Sequence, residues 1–243
     1  MRAIMALRIG CIDFPIPPSR YFRKWDLVEI QQTLVRAPGD GTIKRWLRES
    51  AEGFEFVVTV SPLVTYGPGS QQFRYQPAPA KSQWRKYAPF AATREVAEAY
   101  TDSVALAKEL GASILLFQTP ADLVPDKSLL RAMRHFFEKT DRQKRRWIWE
   151  PKGGWEHKEA VAFARDMKLT LCVDPLAHEP PDSSFGYCHL PGPAGFRSRY
   201  EEEALLRLRD VCRGFQDFYC LFGNIDMNND ATRFHQLVVA ERT

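Results

Sequence analysis

The 243-residue sequence has no long hydrophobic run. No window approaches the roughly 18 consecutive apolar residues that a membrane-spanning helix requires. The segment from Met1 to Leu7 also lacks the full hydrophobic region and the cleavage site of a secretory signal peptide. We therefore expect no membrane-spanning segment and take the cytoplasm as the expected location.

The sequence also has little excess charge of either sign. The 34 lysines and arginines exceed the 30 aspartates and glutamates by only four, although charged residues make up 26% of the chain. This balance indicates a mild preference for anionic partners and argues against a protein that coats nucleic acid. It does not predict the oligomeric state.

Residues that commonly bind metals are few and scattered. The five cysteines are Cys11, Cys172, Cys188, Cys212 and Cys220, and no two have the close spacing of metal ligands. We expect reduced thiols that behave as small buried hydrophobes, although four of them would be neighbours in a closed barrel, which leaves a metal or cluster as an alternative. Of the five histidines, only His189 lies at the end of a predicted strand. The sequence therefore predicts no metal site and identifies no cofactor.

No repeat of fixed period is present, which excludes a solenoid. Instead, short apolar runs alternate with segments of helical period, a pattern typical of parallel strands joined by helices. The predicted strands are Leu7–Ile12, Leu27–Val35, Phe54–Val60, Ser113–Phe117, Trp147–Trp149, Thr170–Val173, Gly186–Leu190 and Phe218–Phe222. Eight such units in about 250 residues predict one α/β domain over residues 1–243, a (β/α)8 TIM-type barrel, with an open doubly wound sheet as the alternative.

Three segments depart from this alternation. Pro15–Ser19 leaves little room for a first helix, and Leu176–Phe185 contains two consecutive prolines that exclude a regular helix after strand six. Residues 61–92, rich in proline and glycine, form an irregular insertion after strand three. In a barrel this insertion would leave from the C-terminal face and could cover it as a lid or substrate clamp; a loop without such a role is the alternative.

Glu150 marks the most informative strand end. It follows the apolar run Trp147–Trp149 and is followed two residues later by Lys152, so a carboxylate and an ammonium group leave one strand together. Single polar residues end other predicted strands in the same way, namely Asp13, Arg36, Gln118, Asp174, His189 and Asn224. Because the carboxyl ends of parallel strands meet at one mouth of a barrel, we expect these side chains to form the site.

Three carboxylates are the candidate catalytic residues. Glu150 and Asp174 end neighbouring strands, so they could divide general acid and base roles or could hold a metal. Glu29 lies within predicted strand two, where side chains alternate between faces. A carboxylate that points into a barrel needs a cation or several donors, which is typical of a functional site but also of a structural ion pair.

Basic side chains predict an anionic ligand. Arg36 and Lys152 lie near strand ends, and Arg197 and Arg199 lie in the small-residue loop after strand seven, where barrels often bind phosphate. A solvated loop is the alternative. The insertion also interleaves cations with aromatics from Phe73 to Tyr87, a pattern of single-strand nucleic-acid surfaces, with simple packing on the barrel as the alternative.

The chain resembles the YecE-like family, domain of unknown function 72. The resemblance rests on short motifs in matching order, including Val28-Glu29-Ile30-Gln31, Leu116-Phe117-Gln118-Thr119-Pro120, Glu150 with Lys152 and Trp155, Val173-Asp174, and Phe222-Gly223-Asn224. It implies a barrel fold and a site at these strand ends. The family places asparagine at Gln31, lysine at Thr59, histidine at Tyr66, arginine at Lys152 and His189, histidine at Pro191 and asparagine at Gly223, so the basic half of the implied site differs here.

These observations favour an enzyme, a hydrolase or an isomerase, that acts on a phosphate-bearing or sugar-like substrate. Its expected catalytic residues are Glu150, Asp174 and Glu29. Its expected substrate-binding residues are Arg36, Gln118, Lys152, His189, Arg197, Arg199 and Asn224. A nucleic-acid-binding protein without chemistry, or a catalytically silent relative that binds a ligand or a partner, is the alternative.

Overall fold

The computed structural model describes residues 6–75 and 79–240. Eight parallel strands close into a barrel in which neighbours in space are neighbours in sequence. The strands are β1 Ala6–Ile12, β2 Leu27–Ile30, β3 Glu55–Thr59, β4 Ile114–Thr119, β5 Arg146–Pro151, β6 Thr170–Val173, β7 Phe185–Leu190 and β8 Asp217–Phe222. The predicted (β/α)8 barrel is therefore confirmed, and the open-sheet alternative is wrong.

Helices alternate with these strands. They are α1 Pro18–Tyr21, α2 Asp40–Glu49, α3 Pro62–Thr65, α4 Gln71–Tyr75, α5 Arg94–Glu109, α6 Lys127–Lys139, α7 His157–Asp166, α8 Glu202–Cys212 and α9 Met227–Ala240, with 3-10 helices at Gln32–Leu34 and Lys81–Tyr87. The first helix has only four residues, and no helix connects β6 to β7, as the prolines predict. Among the described residues, no helix is long and apolar enough to span a bilayer.

Strand two is shorter than the sequence predicts. It ends at Ile30 and a 3-10 turn follows, so the prediction of a strand to Val35 is wrong. Thr33 stabilises this turn because its hydroxyl donates to the carbonyl oxygens of Thr59, at 2.7 Å, and Ile30, at 3.2 Å. Arg36 is consequently an exposed residue beyond the turn rather than the end of the strand.

The insertion after β3 has local structure of its own. Besides α3 and α4 it contains a 3-10 helix, and Phe73 is fully buried against the rings of Trp84 and Tyr87, with centroids 6.0 and 5.6 Å away. Residues 76–78 of the predicted insertion lie outside the described residues. Its position over the C-terminal face and its role as a lid stay predictions.

Contacts divide the described chain into two compact units. One comprises residues 6–29, 48–55 and 171–240, and its core includes Phe218, Phe222 and Phe234. The other comprises residues 30–47, 56–75 and 79–170, and its core includes Phe117 and Trp147, whose ring centroids are 5.2 Å apart. That residues 1–243 form a single domain stays a prediction.

All five cysteines are buried and free, as the sequence predicts. The Cys220 sulfur lies 3.6 Å from that of Cys188 and 3.7 Å from that of Cys212. Burial raises the pKa of the Cys11 thiol to about 12 and that of Cys220 well above its ordinary value. These thiols therefore remain neutral and contribute to the apolar core.

Candidate functional site

Glu150 lies near the carboxyl end of β5, directly opposite Gln118 in the β4–β5 register. The Gln118 side-chain amide donates to Glu150 Oε2 at 2.5 Å, and Lys152 Nζ lies 3.6 Å from Glu150 Oε1. The Glu150 side chain is only 12% exposed, whereas that of Lys152 is 45% exposed. The structure therefore holds a nearly buried carboxylate between an oriented amide and an ammonium group that reaches solvent.

Tyr66, in the insertion, completes this arrangement. It is buried, and its hydroxyl donates to Gln118 Oε1 at 2.5 Å. Burial, reinforced by the charge of Glu150, raises the pKa of Tyr66 well above its ordinary value, so the hydroxyl stays protonated and keeps donating. Because Tyr66 fixes the Gln118 oxygen, the amide nitrogen must face Glu150. We call Tyr66, Gln118, Glu150 and Lys152 the Glu150 cluster.

Gly153 shapes the loop that carries Lys152. Its φ of +85° lies in the left-handed region, which glycine adopts without strain. A Cβ atom at this position would lie 1.8 Å from the carbonyl oxygen of Ala121. Only glycine therefore allows the backbone after β5 to approach the Ala121 segment this closely.

Glu29 belongs to a second buried group, which we call the Glu29 cluster: Glu29, Tyr187 and His189. Glu29 is fully buried on β2, and its Oε2 accepts the Tyr187 hydroxyl at 2.5 Å. The same oxygen lies 2.6 Å from His189 Nε2, which donates when the ring carries its proton there. His189 lies within β7 and is 5% exposed, so the structure uses it to stabilise a buried carboxylate.

Asp174 follows β6 directly and is partly buried. Its carboxylate accepts a hydrogen bond from the Leu176 backbone N–H at 2.9 Å. Burial raises the pKa of Asp174, and the hydrogen bonds and the nearby His178 only partly offset this effect. Its predicted pairing with Glu150 stays a prediction.

Asp174 is expected to make the folded state less stable as pH rises. Its pKa is higher in the folded than in the unfolded chain, so between the two values the folded state holds more protons, and stability falls as pH increases through that window. Asp174→Asn should remove this fall, because an amide can still accept from Leu176. The stability gap between variant and parent should widen above about pH 4, the ordinary carboxyl range.

Thermal unfolding at a series of pH values tests this expectation. Asp182→Asn is the matched control, since Asp182 is exposed in the same loop. A gap for Asp174→Asn that does not change with pH, or that matches the control, would contradict the assigned burial effect.

Asn224 follows β8 and is fully buried. Its amide donates to Asp230 Oδ2 at 2.7 Å and to the Ser198 carbonyl oxygen at 2.8 Å. Asp230, 1% exposed, also accepts from the Tyr200 backbone N–H and from Arg233. Asn224 therefore ties the loop after β7 to α9, and its predicted substrate contact stays a prediction.

The predicted basic residues differ in how they are paired. Arg199 is 73% exposed and forms an ion pair with Asp226 at 3.0 Å, which reduces its availability to a ligand. Arg197 is exposed and has no ion pair within residues 6–75 and 79–240. Arg36 is exposed beyond the 3-10 turn. Their predicted roles as substrate ligands stay predictions.

Comparison with known sequences places the chain in a family. The model of the family described as "Protein of unknown function DUF72" matches residues 19–242. The chain belongs to this family. No curated protein matches it.

Solved structures share the fold of this DUF72 chain. A DUF72 family protein from Enterococcus faecalis V583 has a TM-score of 0.69 at 17% identity, with 98% of this chain and 99% of that chain covered. A xylose isomerase domain containing protein from Salmonella typhimurium LT2 gives 0.61 at 14% identity, with 98% and 99% covered. Endonuclease IV from Thermus thermophilus gives 0.56 at 14% identity, with 96% and 98% covered. At these identities the likeness shows the fold alone.

Strand-end reasoning did not identify two tyrosines of this DUF72 chain. Tyr66 lies in the insertion, and Tyr187 lies in an apolar strand, so neither follows the pattern of a polar residue that ends a strand. The family resemblance, which places histidine at Tyr66, is the one signal that marked position 66. Nothing in the sequence around Tyr187 separates it from a core aromatic residue.

Proposed function

We propose that this DUF72 chain is an enzyme in which Glu150 transfers a proton to or from a phosphate-bearing or sugar-like substrate. One observation carries the proposal: Glu150 combines low exposure, an oriented amide donor on Oε2 and an ammonium group 3.6 Å from Oε1. General acid–base catalysis needs a carboxylate held in one orientation with an environment that controls its charge. The carboxyl ends of barrel strands are where such groups act in this fold.

The Glu150 cluster supplies orientation as well as charge. The Tyr66 hydroxyl fixes the Gln118 amide, and the amide fixes the carboxylate, so Glu150 is held through two hydrogen bonds in series. This prepares the carboxylate before substrate arrives, which reduces the reorganisation that a proton transfer would otherwise require. Glu150 is the proposed catalytic residue, and Tyr66 and Gln118 are the positioning residues.

Lys152 favours an anionic substrate. Its side chain is 45% exposed, so the ammonium group can contact a ligand from solvent while it remains near Glu150. A phosphate or a sugar hydroxyl bound by Lys152 would bring its neighbouring atoms to the carboxylate. The single carboxylate is compatible with hydrolysis and with isomerisation, since both require a proton to move at the substrate.

Turnover by a Glu150→Gln variant tests the proposal. We expect a thermal-shift screen of sugar phosphates and nucleotides to identify a ligand that stabilises the parent protein. Conversion of that ligand, followed by NMR, should fall by about 100-fold or more in Glu150→Gln, because the amide cannot take up a proton. Lys152→Ala should weaken binding of the phosphorylated ligand more than that of its unphosphorylated counterpart.

Glu159→Gln, on the exposed surface of α7, is the matched control and should convert the ligand at the parent rate. Equal conversion by the parent and Glu150→Gln would exclude Glu150 as the acid or base. A ligand that stabilises both proteins equally and is not converted would show that Glu150 does not contact substrate.

Nucleic-acid binding is the second candidate function. The exposed insertion residues Arg74 and Tyr75 lie near a cation–aromatic pair, in which Lys81 Nζ is 6.0 Å from the Trp84 ring centroid. Exposed cations interleaved with aromatics suit phosphates and stacked bases, and one protein of similar fold is an endonuclease. Binding of a single-stranded oligonucleotide that weakens steeply with salt and is unchanged in Glu150→Gln would favour this function.

A further inference from the structure

A second cavity lies between α5 and α6, within the unit that contains the Glu150 cluster. Its volume is about 530 Å³, within the range of small-molecule pockets. None of its lining residues belongs to the Glu150 cluster. Its walls are the first turns of α5, the last turns of α6 and the segments that flank them.

The floor of this cavity is aromatic and tightly packed. Phe90 is fully buried, and its ring centroid lies 5.5 Å from that of Phe136, which in turn lies 5.6 Å from that of Tyr100. The Tyr100 hydroxyl donates to the Asp141 carbonyl oxygen at 3.0 Å, which fixes the ring at one end. A planar apolar group could therefore rest on preformed aromatic surfaces.

Phe90 is held in an uncommon backbone conformation to form this floor. Its φ is +58°, a value that bulky residues rarely adopt. The backbone N–H donates to the Val64 carbonyl oxygen at 2.8 Å, which keeps the residue in place. The surrounding packing thus maintains a conformation that the residue would not prefer alone.

The rim of the cavity carries cations that are available to a ligand. Lys139 and His135 line it, are exposed, and form no ion pair among the described residues. The other charged lining groups are engaged, because Arg94 pairs with Glu98 at 2.6 Å and the Asp141 carboxylate accepts the Gln143 backbone N–H at 2.8 Å. An anionic group at this rim would meet an ammonium group without first displacing a carboxylate.

We propose that this cavity binds a small aromatic anion, with its ring on Phe90, Phe136 and Tyr100 and its anionic group on Lys139 and His135. The site is separate from the Glu150 cluster and does not depend on the proposed activity. Its volume accommodates a bicyclic ring that carries one sulfonate, carboxylate or phosphate.

Calorimetric titration with 2-naphthalenesulfonate tests the proposal, and neutral 2-naphthalenesulfonamide is the matched ligand. We expect the sulfonate to bind the parent protein with one-to-one stoichiometry and at least fivefold more tightly than the sulfonamide. Lys139→Ala should weaken sulfonate binding about tenfold and leave sulfonamide binding unchanged. Ala97→Trp, which fills the cavity from α5, should abolish binding of both ligands.

Two variants on the same helices are controls. Lys127→Ala removes an exposed lysine at the other end of α6, and Ala105→Trp adds an indole to an exposed position of α5 that does not line the cavity. Both should bind the sulfonate as the parent does. Absence of binding to the parent, or sulfonate binding that is unchanged by both Lys139→Ala and Ala97→Trp, would overturn the proposal. Retained binding in Glu150→Gln would confirm that the two sites are separate.

Discussion

Replacement of Glu29 by alanine is expected to lower the free energy of unfolding by about 3–5 kcal/mol, the usual effect of removing one partner of a buried charged pair. The Glu29 carboxylate is fully buried and accepts the Tyr187 hydroxyl, while His189 Nε2 lies 2.6 Å away. Truncation leaves these two polar side chains without the oxygen that they share, in a place where water cannot replace it. Glu29→Gln should lose less, because its side chain retains an acceptor oxygen.

Urea denaturation followed by circular dichroism measures this effect. Glu52→Ala is the control, since Glu52 is exposed and its replacement should change stability by no more than about 0.5 kcal/mol. A double-mutant cycle with Tyr187→Phe isolates the hydroxyl–carboxylate interaction. A loss below about 1 kcal/mol for Glu29→Ala would mean that the Glu29 cluster does not stabilise the barrel.

Gly153→Ala is expected to destabilise the protein by at least about 2 kcal/mol, because the new Cβ enforces strain of the kind that costs 1–3 kcal/mol and also collides with backbone. The φ of +85° disfavours any side chain, and the Cβ would lie 1.8 Å from the Ala121 carbonyl oxygen. The backbone must shift to relieve this contact. Since Lys152 precedes Gly153, the shift should also weaken ligand binding at the Glu150 cluster.

Gly154→Ala is a close control for this change. Its Cβ would meet only Pro125 Cδ, at 4.0 Å, and Gly154 has no positive φ in the left-handed region. The two variants add the same methyl group one residue apart, so their difference measures the local geometry. Equal stability of the two proteins in thermal and urea denaturation would contradict the structural role assigned to Gly153.

The sequence predicts the barrel well because its strands are buried on both faces. Continuous apolar runs such as Trp147–Trp149 give a strong strand signal, and every predicted strand overlaps an observed one. Strand two was extended too far because Thr33 and Val35 favour strands by propensity. The Thr33 hydroxyl instead bonds to the Thr59 carbonyl oxygen, a partner 26 residues away that local pattern cannot reveal.

The candidate site was only partly predictable. Register places Gln118 opposite Glu150, and both were found because a polar residue at the end of an apolar strand is conspicuous. Tyr66 and Tyr187 were missed because a tyrosine in an apolar context reads as a core residue, and its hydroxyl partner is fixed by tertiary structure. The ion pair that engages Arg199 likewise depends on a loop conformation that residue order does not specify.

The buried cysteines make the native protein suitable for site-selective labelling. Every thiol of the chain is enclosed and free, and burial keeps Cys11 and Cys220 protonated, so maleimides should find no reactive native thiolate. A single cysteine introduced at an exposed position of the insertion could therefore carry a fluorophore without removal of the native five. Distance measurements from such a dye would report where the insertion moves when a ligand binds.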